Sequence, residues 1–263
     1  MLPRTFTTIA NLFFSTQPAK MTRSANAFLD AVKHRRSHYA LEAKSPVPDS
    51  RIVEIIQETV KHVPSRYRSS SPSPPFAATR THARPRSYNS QTARAIVLLG
   101  EEHRKLWDIT TECLRAIVPA EAFTATEKKL HGFKSAYGTV LWFEDQTGVK
   151  AMQDAFPSYA NKFPIFSEHA SGMNQYVAWT ALEAEGFGAN LQVGSFPSSV
   201  RPMTRPLTAA QHYSPIIDDK VRAEWNVPES WMLESQLVFG LPLTAPGEKT
   251  FKPIEDRVKV YGA

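Results

Sequence analysis

Residues 165–192, IFSEHASGMNQYVAWTALEAEGFGANLQ, decide how the rest of the chain is read. The stretch from Ile165 to Glu185 carries no proline. The spacing of Met173, Tyr176, Val177, Trp179, Thr180 and Leu182 predicts a long helix, relieved at Gly172 and ended by Gly186. Apolar and aromatic side chains fall on nearly every side of it, so it is expected to be buried almost all round, as the core helix of a dimer would be. The segment Gly186-Phe187-Gly188-Ala189-Asn190-Leu191-Gln192 then predicts a turn whose glycines let the backbone approach a flat ring and aim an amide at it. A plain helix stop explains those glycines equally well.

Working outward, residues 146–156 and 120–136 are expected to be helices and 138–144 (GTVLWFE) a strand. Residues 93–99 (ARAIVLL), closed by Gly100, predict a buried strand. Residues 101–118 follow as a helix, with Leu106, Trp107, Ile109, Cys113, Leu114 and Ile117 on one side and Cys113 in the core. Ser24 is expected to cap a helix running through Arg36. Asp49, after Pro48, is expected to cap a second with the stripe Ile52, Val53, Ile55, Ile56 and Val60. Toward the other end, 215–225 is a short helix and 231–239 alternates as a strand before Gly240-Leu241-Pro242. Helices separate the strands, yet no Gly-x-Gly-x-x-Gly follows any of them, which disfavours a Rossmann nucleotide fold.

The chain has 263 residues, 42% of them apolar, enough to fill the core of one large domain. Its formal charge of +6 would suit a nucleic acid or an acidic surface, but the charges are unevenly placed. Three stretches, 1–20, 66–86 and 193–210, hold nine of the 20 prolines and nine of the 31 basic residues, and none of the 25 acidic ones. The remaining 204 residues carry 22 basic and 25 acidic groups, so the body is mildly acidic and no nucleic-acid partner is expected. With Cys113 alone, neither an intrachain disulfide nor a CxxC motif is available, which fits a reducing compartment. No apolar run approaches the length of a membrane span, so no membrane partner is expected.

Stretch 1–20 is rich in Ser and Thr. Arg4, Lys20 and Arg23 flank Phe6, Ile9, Leu12, Phe13 and Phe14, the composition of an amphipathic mitochondrial presequence; the competing reading is an extension ahead of a start at Met21. Stretches 66–86 and 193–210 are Pro- and Ser-rich coil interrupting periodic sequence, either long surface loops or retained introns. For the second, the Val193 codon begins with GT and Leu207-Thr208-Ala209-Ala210-Gln211 can encode a branch point and a closing CAG. The expected organisation is one domain over 21–263 with two inserts. The expected compartment is the cytoplasm, extending to the nucleus, with the mitochondrion as the alternative if 1–20 directs import.

Four groups of residues can carry chemistry. Lys33-His34-Arg35-Arg36-Ser37 ends a helix in three cations and a hydroxyl, able to hold a phosphate dianion, though a solvated cap is the commoner use of such a cluster. Pro64-Ser65, followed beyond the insert by Ser87-Tyr88-Asn89-Ser90-Gln91, crowds amides and hydroxyls that can bond the polar edge of a heterocycle, or simply make a turn. The third group is the glycine turn at 186–192. The fourth is the tail from Gly247 to Arg257, which offers more cations or a solvated end. His34, His38, His62, His131 and His169 do not recur in metal-ligand spacing, and no metal is expected.

In this order, Arg35-Arg36-Ser37-x-Tyr39-Ala40-Leu41, Val63-Pro64-Ser65 with Ser87-Tyr88-Asn89-Ser90-Gln91, the glycine turn running into His212-Tyr213-Ser214-Pro215, and the closing Phe239-Gly240 and Gly247-Glu248-Lys249-Thr250-Phe251-Lys252-Pro253 resemble the nitroreductase family. The nearest resemblance is to its fungal fatty-acid-repression, oxidative-stress branch, and it covers about residues 24–262 without the inserts. It implies an α+β fold with a central, mainly antiparallel sheet flanked by helices, an intertwined homodimer, and FMN at the dimer interface. It also implies NADH or NADPH as reductant and a small-molecule electron acceptor, nitroaromatic or quinone-like, reduced by a ping-pong mechanism. Carried over by position, Arg35, Arg36 and Ser37 are implied phosphate and ring-edge binders. Pro64, Ser65, Asn89 and Gln91 are implied to meet the flavin, Gly186, Phe187 and Gly188 to lie beside its N5, and Lys249 and Arg257 to reach the phosphate. Chemistry of this kind rests on the cofactor, so no catalytic side chain is expected. The alternative is a flavin-binding regulatory protein of lipid or redox signalling with little turnover.

Overall fold

The computed structural model describes residues 25–67, 88–193 and 213–262. The stretch 1–20, the Ser24 cap, and both expected inserts apart from Arg66, Tyr67 and Val193 lie outside the described residues. The elements in chain order are α1 (Ala25–His34), β1 (Leu41–Glu42), α2 (Asp49–His62), β2 (Arg66–Tyr67), β3 (Tyr88–Asn89), β4 (Ala93–Leu99), α3 (Gly100–Arg115) and α4 (Ala120–Lys134). They continue with β5 (Gly138–Asp145), α5 (Gln146–Ala155), a 3-10 helix (Pro157–Lys162), α6 (Phe163–Ala184), β6 (Gly188–Val193), α7 (Asp218–Trp225) and β7 (Trp231–Pro242).

β7 organises an antiparallel five-stranded sheet. β5 lies along one side of it with β4 beyond, and β6 and β1 share its other side. The period-2 pattern sends alternate side chains to opposite faces. Leu98, Leu141, Phe143, Leu233 and Val238 point into a core with Leu106, Trp107 and Leu114 of α3, Leu130 and Phe133 of α4, and Val221 of α7. On the other face, Val140, Trp142, Ala189, Leu237 and Phe239 meet Ile52, Ile55 and Ile56 of α2 and Ala178 and Leu182 of α6. The result is an α+β sandwich with helices on both faces. A bulge between Trp142 and Phe143 leaves Glu234 of β7 without a cross-strand partner and turns Leu233 onto the same face as Phe143.

Several expectations change. α6 is not buried all round in the single chain. Its sheet-facing stripe is covered, but Met173 and Val177 are each 40% exposed, because one chain supplies a sheet on one side only. Pro48 takes the N-cap of α2 and Asp49 is its first helical residue; the Asp49 carboxylate accepts from the Tyr137 hydroxyl instead. Residues 188–193 form a strand rather than a turn, since Ala189 and Leu191 alternate with Asn190 and Gln192 and pair with β7. Cys113 is only partly buried against the first core.

Candidate functional site

Where α1 ends, three elements meet. Arg35 continues the helix by donating its N–H to Ala31 O. The Arg36 N–H turns inward to Glu183 Oε2 at 2.8 Å, and the same buried carboxylate accepts from Trp179 Nε1 at 2.8 Å. The Trp179 ring in turn lies beneath the Arg35 guanidinium, 4.3 Å from its centre, a cation–π contact. Burial raises the Glu183 carboxyl above its usual range, against the lowering effect of the Arg36 N–H, the Trp179 indole and Arg35. Ser37 makes a parallel bridge to Ala189, the His38 N–H donates to Ala189 O at 2.9 Å, and Asn190 Nδ2 donates to His38 O at 2.7 Å.

The glycines make this junction possible. Gly186 has φ +93°, a conformation costly for other residues, and a Cβ on Gly188 would lie 2.9 Å from the Cβ atoms of both His38 and Pro242. Phe187 sends its ring into the core, edge-on to Phe239 at 5.3 Å, so only its backbone faces the junction. A cavity of about 580 Å³ opens here, lined by His34, His38, Glu183, Gly186 and Thr244. Burial, followed by the charges of His34 and Arg36, holds the His38 imidazole below its usual range, against a backbone hydrogen bond at Thr244. The Arg36 guanidinium donates to Gly247 O, which ties the tail to this place and brings Lys249 within two residues of it. Lys249 Nζ lies 5.3 Å from the Phe251 ring centre, and Arg257 sits further along in a turn closed by its N–H on Ile254 O.

The second group assembles elsewhere. Arg66 pairs with Asn89 and Tyr67 with Tyr88, so the two halves of the Ser65–Gln91 motif are stitched together although 20 residues, 68–87, separate them in the chain. Ser90 Oγ donates to Ser65 O at 2.9 Å and the Gln91 N–H to Ser65 Oγ at 3.1 Å, while Pro64 is exposed just ahead of them. Ser65 and Gln91 line a cavity of about 670 Å³ with Ile56, Gln57, Arg94 and Asn174, and the buried Asn174 Oδ1 has no hydrogen-bond partner.

The two cavities share no lining residue among those described. Asn174 at one and Glu183 at the other stand nine residues apart on α6, about 13 Å along its axis. Arg35, Arg36, Ser37, Gly186, Gly188 and, through the tail, Lys249 therefore form one group, and Pro64, Ser65, Asn89 and Gln91 another. The sequence reading missed Trp179 and Glu183, whose i, i+4 spacing on a helix was the available signal. It also missed Arg94 and Asn174. Among the described residues no group of three or more His, Cys, Asp or Glu is placed to hold a metal ion.

Comparison with known proteins gives this architecture a class. No family model matches the chain. Two Saccharomyces cerevisiae proteins named as nitroreductases do: HBN1, 30% identical over 236 residues, and FRM2, 31% identical over 235, each spanning 89% of this chain and 96% of the relative. Among solved structures, nitroreductase CinD from Lactococcus lactis in complex with chloramphenicol superposes with a TM-score of 0.67 at 37% identity, over 89% of this chain and 99% of that one. CinD in complex with 4-nitrophenol gives the same TM-score at 38% identity. The chain belongs to the nitroreductase family and is an oxidoreductase. Within that family it stands with the fungal branch of HBN1 and FRM2.

Proposed function

We propose that the chain binds FMN across a two-fold axis between two copies and reduces nitroaromatic or quinone-like acceptors at the expense of NADH or NADPH. The observation that carries this reading is the separation of the two groups. In an isologous dimer, each patch of one chain faces a different patch of its partner, so Arg35–Ser37 with Gly186–Gly188 of one copy can face Ser65–Gln91 of the other. The exposed apolar side chains of α6, Ile165, Met173 and Val177, supply surface for such a contact.

The donor set fits the cofactor. Arg35, Arg36 and Ser37, with Lys249 close by, offer charge-assisted hydrogen bonds to a phosphate dianion, and the Arg35 Nε is buried without a partner. Gly186 and Gly188 keep the backbone at the junction free of side chains, so that an amide can face a flat ring. Ser65, Asn89 and Gln91 would hold the polar edge of that ring. FMN when bound supplies hydride chemistry, from NADH or NADPH to N5 and from N5 to the acceptor, in two half-reactions at one face and therefore with ping-pong kinetics. The residues bind, orient and exclude water; none is needed to move a proton at a side chain. CinD, crystallised with 4-nitrophenol and with chloramphenicol, sets the acceptor class expected here.

The test is a titration of the purified chain with FMN, followed by NADH and NADPH oxidation with a nitroaromatic. Binding with turnover supports the reading. Bound FMN without turnover favours a regulatory flavoprotein, and no binding overturns both.

A further inference from the structure

Between the flavin-edge segment and the sheet lies a brace whose two charged members, Arg94 and Asp145, stand outside both groups of expected site residues. Gln91 holds φ at +46°, a left-handed backbone that a residue with a side chain adopts at a cost. Its N–H is fixed by Ser65 Oγ, and its carbonyl accepts from Arg94 Nη1 at 2.5 Å. The same Nη1 donates to Ala93 O at 3.0 Å, and Nη2 donates to Asp145 Oδ2 at 2.9 Å. Asp145 is itself anchored three ways. Its other oxygen accepts the Thr147 N–H at 3.0 Å and so caps α5, its own N–H donates to Thr92 O at 2.9 Å, and its backbone stands opposite Trp231 in the β5–β7 ladder. The centre of the Trp231 ring lies 5.6 Å from the guanidinium carbon, a cation–π contact.

Three protein acceptors engage three of the five N–H groups of this guanidinium, which also lines the larger cavity. A planar fork fixed at one end by a carboxylate, and gripping at the other the carbonyl of a strained residue, sets a backbone position. We infer that Arg94, held by Asp145, is the positioning residue that keeps the Ser65–Gln91 segment in its binding conformation. This rests on the reading that the segment meets FMN. Lysine cannot reproduce the brace, because a single ammonium cannot hold the Gln91 carbonyl and the Asp145 carboxylate in the same fixed geometry.

The experiment compares the full wild-type chain with Arg94→Lys and Asp145→Asn. Asparagine can still cap α5 but gives up the charge that holds Arg94. Two quantities are read: FMN affinity from quenching of flavin fluorescence, and amide hydrogen exchange over residues 89–92. Both variants are expected to raise the FMN Kd about tenfold, with Arg94→Lys the larger effect. Both should speed exchange at Gln91, and the apparent KM for FMN should rise more than kcat falls. Wild-type affinity and wild-type exchange in a folded Asp145→Asn protein would overturn the inference, whatever becomes of Arg94→Lys. If the wild-type chain binds no FMN, the functional reading fails by itself, and exchange at 89–92 still decides whether the brace exists.

Discussion

Glu234 is 3% exposed, sits at the bulge of β7 and leaves one carboxylate oxygen without a hydrogen bond. Burial first, then the like charges of Glu144, Glu168 and Asp218, push its carboxyl up to about 8. Glu144 and Asp218 are themselves held above the usual range by burial, with Ser167 and Ser214 donating to them. Between the ordinary carboxyl pKa and about 8, the native state keeps a proton that the unfolded chain has released. Stability therefore falls as pH rises through that window, by an amount on the order of a few kcal/mol. Glu234→Gln keeps the shape and removes the ionisation. Urea melts should find the variant close to wild type at pH 4 and increasingly more stable than it from there to pH 9, whereas parallel stability curves would contradict the assignment. His103 acts in the opposite sense. It is buried between Thr139 Oγ1 and Phe133 O with its pKa pushed down to about 4, mainly by desolvation, so stability is lost as pH falls from 6.5 toward 4.

At the scale of elements, the junction of α1, α6 and β6 depends on Gly188. A side chain there would press on His38 and Pro242, on opposite sides of the strand's start. Gly188→Val should destabilise the fold by about 1–3 kcal/mol and weaken FMN binding by displacing the Ser37–Ala189 bridge. Thermal melting and FMN titration check the two effects, and an unshifted melt would show that the junction yields at no cost. This junction also marks where sequence reading stopped. The strand at 93–99 was legible because the apolar run Ala95–Leu99 ends at a glycine. β6 was not, since a glycine and two amides mask its alternation, and it is a strand only because β7 offers an edge. The arginine turn was legible from Arg35-Arg36-Ser37. The residues that hold it were not, because Glu183 was indistinguishable from a solvated helix carboxylate until its burial was seen. Arg94 was hidden for a similar reason: within an apolar strand it offered no pattern, and its role depends on Asp145, 51 positions away.

At the scale of the molecule, the chain ends in an arm without helix or strand. After Leu243 it exposes Phe251 at 74%, Val260 at 70% and Tyr261 at 90%. So much apolar surface at the end of a chain calls for a covering partner, and in the proposed dimer a second copy supplies it. Removal of residues 244–263 is expected to give a monomer by light scattering, with FMN binding lost because the two groups no longer meet. A dimer that survives the truncation would place the interface elsewhere. No described helix is long and apolar enough to cross a membrane. Both groups of expected site residues were legible in the sequence, but not that one chain keeps them apart, because that separation is set by the length of α6. The most direct test of a site shared between copies uses two defective chains, Arg36→Glu and Ser65→Ala, co-expressed with different tags and purified as the mixed dimer. Each homodimer should bind FMN weakly, since every site carries one defect. The mixed dimer should recover one wild-type site of its two, so that half the wild-type FMN stoichiometry returns at wild-type affinity; a mixed dimer as defective as its parents would contradict the shared site.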